Sequence, residues 1–241
     1  NHQKSGIEYL SADKLEIAIA SSFNEKDVDE LLDVERKLKR LKAERKATKV
    51  SEENAYVHDS DNDVPHFPYP SGPREYQKQA FEKWKNNKQR GLFAMATGTG
   101  KTITSLNCLL EIYKSKGYYK AIILVPTQTL VEQWVGECHK FNFKNIYKVY
   151  SRNRKWKDEI ETLHIKETFN YSDSKESFII ISTYASFVRA NVFKTLNGFS
   201  VNQTLLIADE AHNMGAGRIL DRLDAIKYLR RIGLSATPNR Q

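Results

Sequence analysis

From Arg74 onward, short apolar runs rich in β-branched residues alternate with longer amphipathic stretches. The runs predict strands at Leu92 to Ala96, Ala121 to Val125, Ile146 to Tyr150, Phe178 to Ser182, Thr204 to Ala208 and Ile232 to Ser235. Between them the spacing predicts helices over 75–88, 102–116, 128–142, 184–195 and 217–229. Near-continuous apolar strands separated by helices are what a sheet buried on both faces needs, so the expectation is an α/β fold with a parallel, doubly wound sheet. Residues 151–177 interrupt this rhythm with a polar insertion.

The first 73 residues have a different character. From Asp27 to Lys46, Val28, Leu31, Leu32, Val34, Leu38 and Leu41 recur at three- and four-residue spacing, which predicts a helix with one buried stripe. The apolar spacing covers fewer than two heptads, so packing on a neighbouring domain is expected rather than a coiled coil. Its segment Arg36 to Lys46 carries seven basic residues and one acid, read as a solvated face. Residues 1–50 are therefore a helical N-terminal segment, the tail of an upstream domain or a docking helix. Residues 51–73 hold five acids and four of the six prolines, at 65, 68, 70 and 73. Proline removes backbone donors and biases its predecessor toward extended backbone, so this stretch is expected to be a linker crossing a surface. The chain opens on Asn1 and stops at Gln241, just after a strand-like run, as expected of a piece of a longer protein.

Charge and cysteine content narrow the classes. No window approaches the roughly 18 to 20 apolar residues of a membrane span, and no apolar run follows Asn1 as a secretory signal would require. Cys108 and Cys138 are isolated, which encodes neither a disulfide framework nor a zinc site and fits a reducing compartment, most simply the cytoplasm. The formal charge of +8 is unevenly spread: residues 1–73 hold 11 basic and 15 acidic side chains, residues 74–241 hold 27 and 15. A basic second portion favours polyanions, nucleic acid first among them, although positive charge alone equally serves solubility.

Two short stretches carry chemistry. Met95-Ala96-Thr97-Gly98-Thr99-Gly100-Lys101-Thr102 follows a predicted strand and opens a predicted helix, the context of a P-loop. Glycines let backbone amides turn toward phosphates, the lysine reaches the β and γ phosphates, and the threonine hydroxyl binds magnesium. Met95 stands where the strict pattern has glycine. Thr97, Gly98, Thr99, Gly100, Lys101 and Thr102 are the expected nucleotide-binding residues. Far downstream, Leu205-Leu206-Ile207-Ala208-Asp209-Glu210-Ala211-His212 places two carboxylates at the carboxyl end of an apolar strand, the edge where ligands of parallel sheets bind. Asp209 is expected to hold magnesium and Glu210 to orient and deprotonate a water. An acidic pair capping a helix is the bland alternative.

Together with Leu234-Ser235-Ala236-Thr237-Pro238, these stretches resemble motifs I, II and III of superfamily 2 helicases and translocases. Arg74-Glu75-Tyr76-Gln77-Lys78-Gln79-Ala80 resembles the Q motif, Val125-Pro126-Thr127 with Leu130 and Gln133-Trp134 resembles motif Ia, and Ile181-Ser182-Thr183-Tyr184 resembles motif Ib. The resemblance covers residues 74–241 and is nearest to DEAH-type motor subunits of restriction enzymes. It implies the first RecA-like domain of an ATP- and magnesium-dependent motor on nucleic acid, DNA favoured. It further implies that Gln77 reads adenine, that His212, Ser235 and Thr237 couple the nucleotide to a neighbouring domain, and that Thr127 and Thr183 contact nucleic-acid phosphates. Arg152, Arg154, Lys155 and Lys157 around Trp156 would extend that groove or form a solvated surface. The family completes its active unit with a second RecA-like domain bearing arginine fingers, so residues 1–241 alone are expected to bind Mg–ATP and hydrolyse it weakly. A parent chain could also carry an upstream nuclease or recognition domain. Within the chain, His2 and Lys4 have a His-x-Lys spacing, but Tyr9 stands where a phospholipase D type pattern has aspartate. The competing functions are a non-catalytic nucleotide-gated interaction module and an RNA-directed helicase.

Overall fold

The computed structural model describes residues 64–96, 98–153, 155–169, 175–211 and 217–236. All belong to the unit Asp59–Gln241, and the expected helix over 27–46 lies outside the described residues. Six strands pair in parallel: β1 Arg90–Ala94, β2 Lys120–Val125, β3 Ile146–Val149, β4 Phe178–Thr183, β5 Leu205–Ala208 and β6 Arg230–Ser235. Their order across the sheet is β1-β6-β5-β2-β4-β3. Each expected strand forms, with ends shifted by no more than two residues.

Every residue of β2, β4 and β5 is buried, which is why these strands read as continuous apolar runs. Their side chains still alternate. Ala121, Ile123, Val125, Ile179, Ile181, Leu205 and Ile207 join one core with Trp84, Leu106, Leu109, Val131 and Trp134. Ile122, Leu124, Phe178, Ile180 and Leu206 join a second core on the other face. The first core is covered by α1 Glu75–Asn86, α2 Lys101–Lys116 and α3 Gln128–Lys140, the second by α4 Trp156–Phe169, α5 Tyr184–Phe187, α6 Ala190–Leu196 and α7 Gly217–Ala225. The edge strands β1 and β3 are more exposed and correspondingly less apolar.

Three expectations are corrected. The polar stretch 151–177 does not interrupt the alternation of strands and helices, because it contains α4, although Arg152, Lys155 and Lys157 are exposed. Ile160 and Leu163 are buried in the second core, and Trp156 packs against it, so its ring is part of the domain rather than a free stacking face. The expected helix over 184–195 is two helices, because Arg189 is extended (φ −68°, ψ 134°) and restarts the chain as the N-cap of α6. The helix expected to reach 229 ends at Ala225, since Ile226 and Tyr228 turn inward to the core before β6.

Between Val64 and Pro73 the chain runs along the domain without entering the sheet. His66 N–H donates to the Phe141 carbonyl at 3.0 Å, Asn142 Nδ2 donates to the Val64 carbonyl at 3.2 Å, and the Phe67 ring meets Phe141 edge-on at 5.5 Å. Among the described residues no helix is long and apolar enough to cross a membrane.

Candidate functional site

Strand β1 hands the chain to α2 through Met95–Gly100. Gly98 (φ +79°) and Gly100 (φ +86°) are left-handed, a conformation costing other residues about 1–2 kcal/mol. The loop is braced by its own atoms: Thr99 Oγ1 donates to the Ala96 carbonyl at 2.6 Å, Tyr76 Oη to the Thr99 carbonyl at 2.7 Å, and Lys101 Nζ to the Met95 carbonyl at 3.2 Å. Lys101 and Thr102 open α2, whose first amides have no intrahelical acceptor and carry the positive end of the helix dipole. That arrangement is an anion cradle. Thr97 lies outside the described residues.

The acidic pair follows β5. Asp209 is buried, and both of its carboxylate oxygens are engaged: Oδ2 accepts from the Trp134 indole Nε1 at 2.8 Å and Oδ1 from the Glu210 N–H at 2.9 Å. The Asp209 carbonyl accepts from Tyr184 Oη at 2.8 Å, and its N–H donates to the Leu124 carbonyl at 2.8 Å. Burial, reinforced by the charges of Asp209 and Glu210, pushes the Tyr184 phenol far up, so it stays a donor. Glu210 adopts φ +51°, an uncommon conformation for a residue with a side chain and one that concentrates at functional sites.

Gly98, Gly100, Lys101, Thr102, Asp209 and Glu210 line one cavity of about 470 Å³, which continues along α3. The hydroxyl of Thr102 and the carboxylate of Asp209 could hold magnesium, a hard cation usually bound by one or two carboxylates together with substrate phosphates. A second cavity of about 530 Å³ shares Gly98, Gly100 and Ile103 with the first and is walled by Phe67, Tyr69 and Gln77. Gln77 is buried, and its Oε1 accepts from the Arg74 N–H at 2.9 Å. A third hollow of about 580 Å³ lies between α1 and the open edge β1; it has no carboxylate in its lining and is separate from this chemistry.

The remaining expected residues fall around the same sheet edge. Ser235 ends β6, is buried, and its carbonyl accepts from the Met95 N–H at 3.0 Å, joining that strand to the entry of the glycine loop. Thr127 is exposed and caps α3, its Oγ1 accepting from the Leu130 N–H at 3.3 Å. Thr183 is buried and caps α5 in the same way, accepting from the Ser186 N–H at 3.3 Å. His212 and Thr237 lie outside the described residues.

Residues 71–240 match the family described as the type III restriction enzyme, res subunit. The chain belongs to this family. It is similar to the DNA 3'-5' translocase XPB2 of Sulfurisphaera tokodaii, 29% identical over 169 residues, covering 69% of this chain and 31% of the relative. It is also similar to the general transcription and DNA repair factor IIH helicase/translocase subunit XPB of Enterocytozoon bieneusi, 26% identical over 172 residues, covering 68% and 26%. A nuclease-deletion mutant of the type ISP restriction-modification enzyme LlaGI, solved in complex with a DNA substrate mimic, shares the fold with a TM-score of 0.54 at 25% identity, covering 70% of this chain and 18% of that one. The chain spans less than a third of the length of these relatives. As the motif order implied, this chain is of the superfamily 2 helicase and translocase type, and the matched part is an N-terminal RecA-like domain.

Four residues of this domain carry no role that the sequence alone assigns. Trp134 and Tyr184 stand inside the motif Ia and Ib stretches, but their bonds to Asp209 span 75 and 25 residues of chain, beyond any local pattern. Phe67 and Tyr69 were visible as aromatics among prolines, a signal outweighed there by the linker composition.

Proposed function

We propose that this chain binds Mg–ATP and supplies the hydrolytic residues of a nucleic-acid motor whose preferred track is DNA. The observation that carries the reading is the shared cavity: the glycine loop with Lys101 and Thr102 faces Asp209 and Glu210 across a single space. In it the amides of Gly98–Lys101 and the Lys101 ammonium would bind the phosphate oxygens, while the Tyr69 ring and Gln77 would flank the base in the adjoining cavity. Thr102 and Asp209 would hold magnesium, which when bound neutralises charge developing on the transferred phosphoryl group. Glu210 would accept the proton of the attacking water, a task a pure switch does not need. Exposed Thr127 would face the nucleic-acid backbone, a contact that positions a strand without reading its sequence, while Thr183, buried at the end of neighbouring β4, would hold the chain beside it.

Support for DNA comes from the relatives: one is named a DNA translocase, and the LlaGI structure holds a DNA substrate mimic. Full activity in this reading draws on a second RecA-like domain, so residues 1–241 alone turn ATP over weakly. The test is ATP turnover by the full-length protein with and without double-stranded DNA, beside Glu210→Gln. Strong stimulation by DNA that the substitution abolishes supports the motor. Turnover indifferent to Glu210→Gln rejects it in favour of a nucleotide-gated module, and stimulation by RNA alone rejects the DNA track.

A further inference from the structure

The proposed function leaves one carboxylate of the cleft without a task. Glu137 of α3 lines the same cavity of about 470 Å³ as Lys101, Thr102, Asp209 and Glu210. The adjoining base-side cavity has no carboxylate in its lining, so among the described residues Glu137 is the third acid around the joint space. Its charge repels phosphates, and the natural partner of such a carboxylate in a nucleotide cleft is a neutral hydroxyl donor.

Helical spacing turns Glu137 toward the cleft. Leu130, Gln133, Glu137 and Lys140 follow one another at three, four and three residues, which places them on one face of α3, and all four line the cavity. Within that helix Trp134 bonds Asp209, and just past its last turn Phe141 meets Phe67, a wall of the base-side cavity, at 5.5 Å. Glu137 stands between these two contacts along α3. A nucleotide with its phosphates on the glycine loop and its base beside Tyr69 and Gln77 has its sugar between them, at the boundary that Gly98, Gly100 and Ile103 share.

Glu137 is only half satisfied. Its Oε1 accepts from Lys140 Nζ at 2.7 Å, whereas Oε2 is buried with no hydrogen-bond partner among the described residues. An ionised carboxylate has about four acceptor sites, and a buried oxygen without a donor costs free energy. The terminal torsion of a glutamate is soft and this side chain is 26% exposed, so rotation presents an acceptor to the cavity without releasing Lys140. We propose that Glu137 is the ribose acceptor of this site, taking hydrogen bonds from the 2′- and 3′-hydroxyls and thereby selecting ribonucleotides over nucleotides that lack them. The assignment rests on the Mg–ATP reading and names a specificity-determining residue within it.

The experiment is titration calorimetry of the full-length protein in the presence of magnesium, comparing a non-hydrolysable ATP analogue with its 2′,3′-dideoxy form. The wild type is expected to bind the ribose form roughly 10-fold more tightly, the low end for a hydrogen bond to a charged group because Glu137 is partly exposed. Glu137→Ala brings the two affinities to within about 2-fold by weakening the ribose form alone, while thermal melting stays cooperative. Lys140→Ala, which removes the ion pair but keeps the carboxylate, retains the preference. A wild type that binds both analogues equally overturns the assignment and leaves the motor reading standing. Equal weakening of both analogues by Glu137→Ala, or a loss of preference in Lys140→Ala as complete as in Glu137→Ala, makes the pair a brace of α3 and likewise overturns it. A wild type that binds neither analogue removes the Mg–ATP reading and this assignment together.

Discussion

The most demanding test of the packing concerns Lys120, an ammonium at the start of a strand buried on both faces. Its side chain has no exposed surface, and Nζ is 2.9 Å from Glu167 Oε2 on α4 and 2.6 Å from Gln203 Oε1. Lys120→Met keeps an unbranched apolar stem but leaves Glu167 without this cation. Breaking a buried pair by removing one partner costs about 3–5 kcal/mol. The Glu167 side chain retains 10% exposure, so it can partly rehydrate, and the expected loss sits at the low end, about 3 kcal/mol. In the double variant Lys120→Met with Glu167→Gln no charge is stranded, and what remains is the unpaired Gln203 carbonyl, about 1 kcal/mol. The double variant should therefore be more stable than Lys120→Met alone by about 2 kcal/mol. Urea denaturation of the wild type, both single variants and the double variant reads this directly, and Lys120→Met should melt about 6–12 °C lower. Additive single effects, or a Lys120→Met loss within about 0.5 kcal/mol, would refute the reasoning.

Leu163→Ala should cost about 2–5 kcal/mol in denaturant midpoint analysis, because Leu163 is buried in the second core; a surface-like change would mean that α4 does not pack there. Gly100→Ala places a side chain at φ +86° and should weaken ATP binding roughly 10-fold, measured by titration calorimetry, for about 1–2 kcal/mol of backbone strain. Unchanged affinity would mean that the loop binds in another conformation. Burial pushes the Tyr119 phenol up to about 12, against a smaller opposing effect of the hydrogen bond its oxygen accepts from the Lys144 N–H at 2.7 Å. The fold thus favours the neutral phenol, and its contribution, complete below pH 10, is lost as pH rises toward 12. Stability profiles of wild type and Tyr119→Phe should converge over that range, and parallel profiles would contradict the assignment.

Much of this architecture is written locally. The apolar runs of β2, β4 and β5 are legible because both faces of those strands are buried, so no polar position interrupts them. The glycine loop and the acidic pair are legible because their chemistry lies in contiguous residues at strand ends. Even α4 was present in the pattern, with Trp156, Ile160 and Leu163 spaced four and three residues apart, but the neighbouring basic residues drew the reading toward solvent. Arg189, which divides 184–195 into two helices, carries no comparable local mark.

What only the tertiary structure decided is which distant residues meet. The sequence by itself determined the strands, most of the helices and the residues of the glycine loop and acidic pair, because periodicity and backbone chemistry act within a few residues. The strand order β1-β6-β5-β2-β4-β3 then brings β2 beside both β4 and β5, and so places the helices that follow β2 and β4 against the end of β5. Trp134 and Tyr184 converge on Asp209 for that reason. Their bonds depend on the lateral packing of strands far apart in the chain, an arrangement no local spacing of side chains encodes.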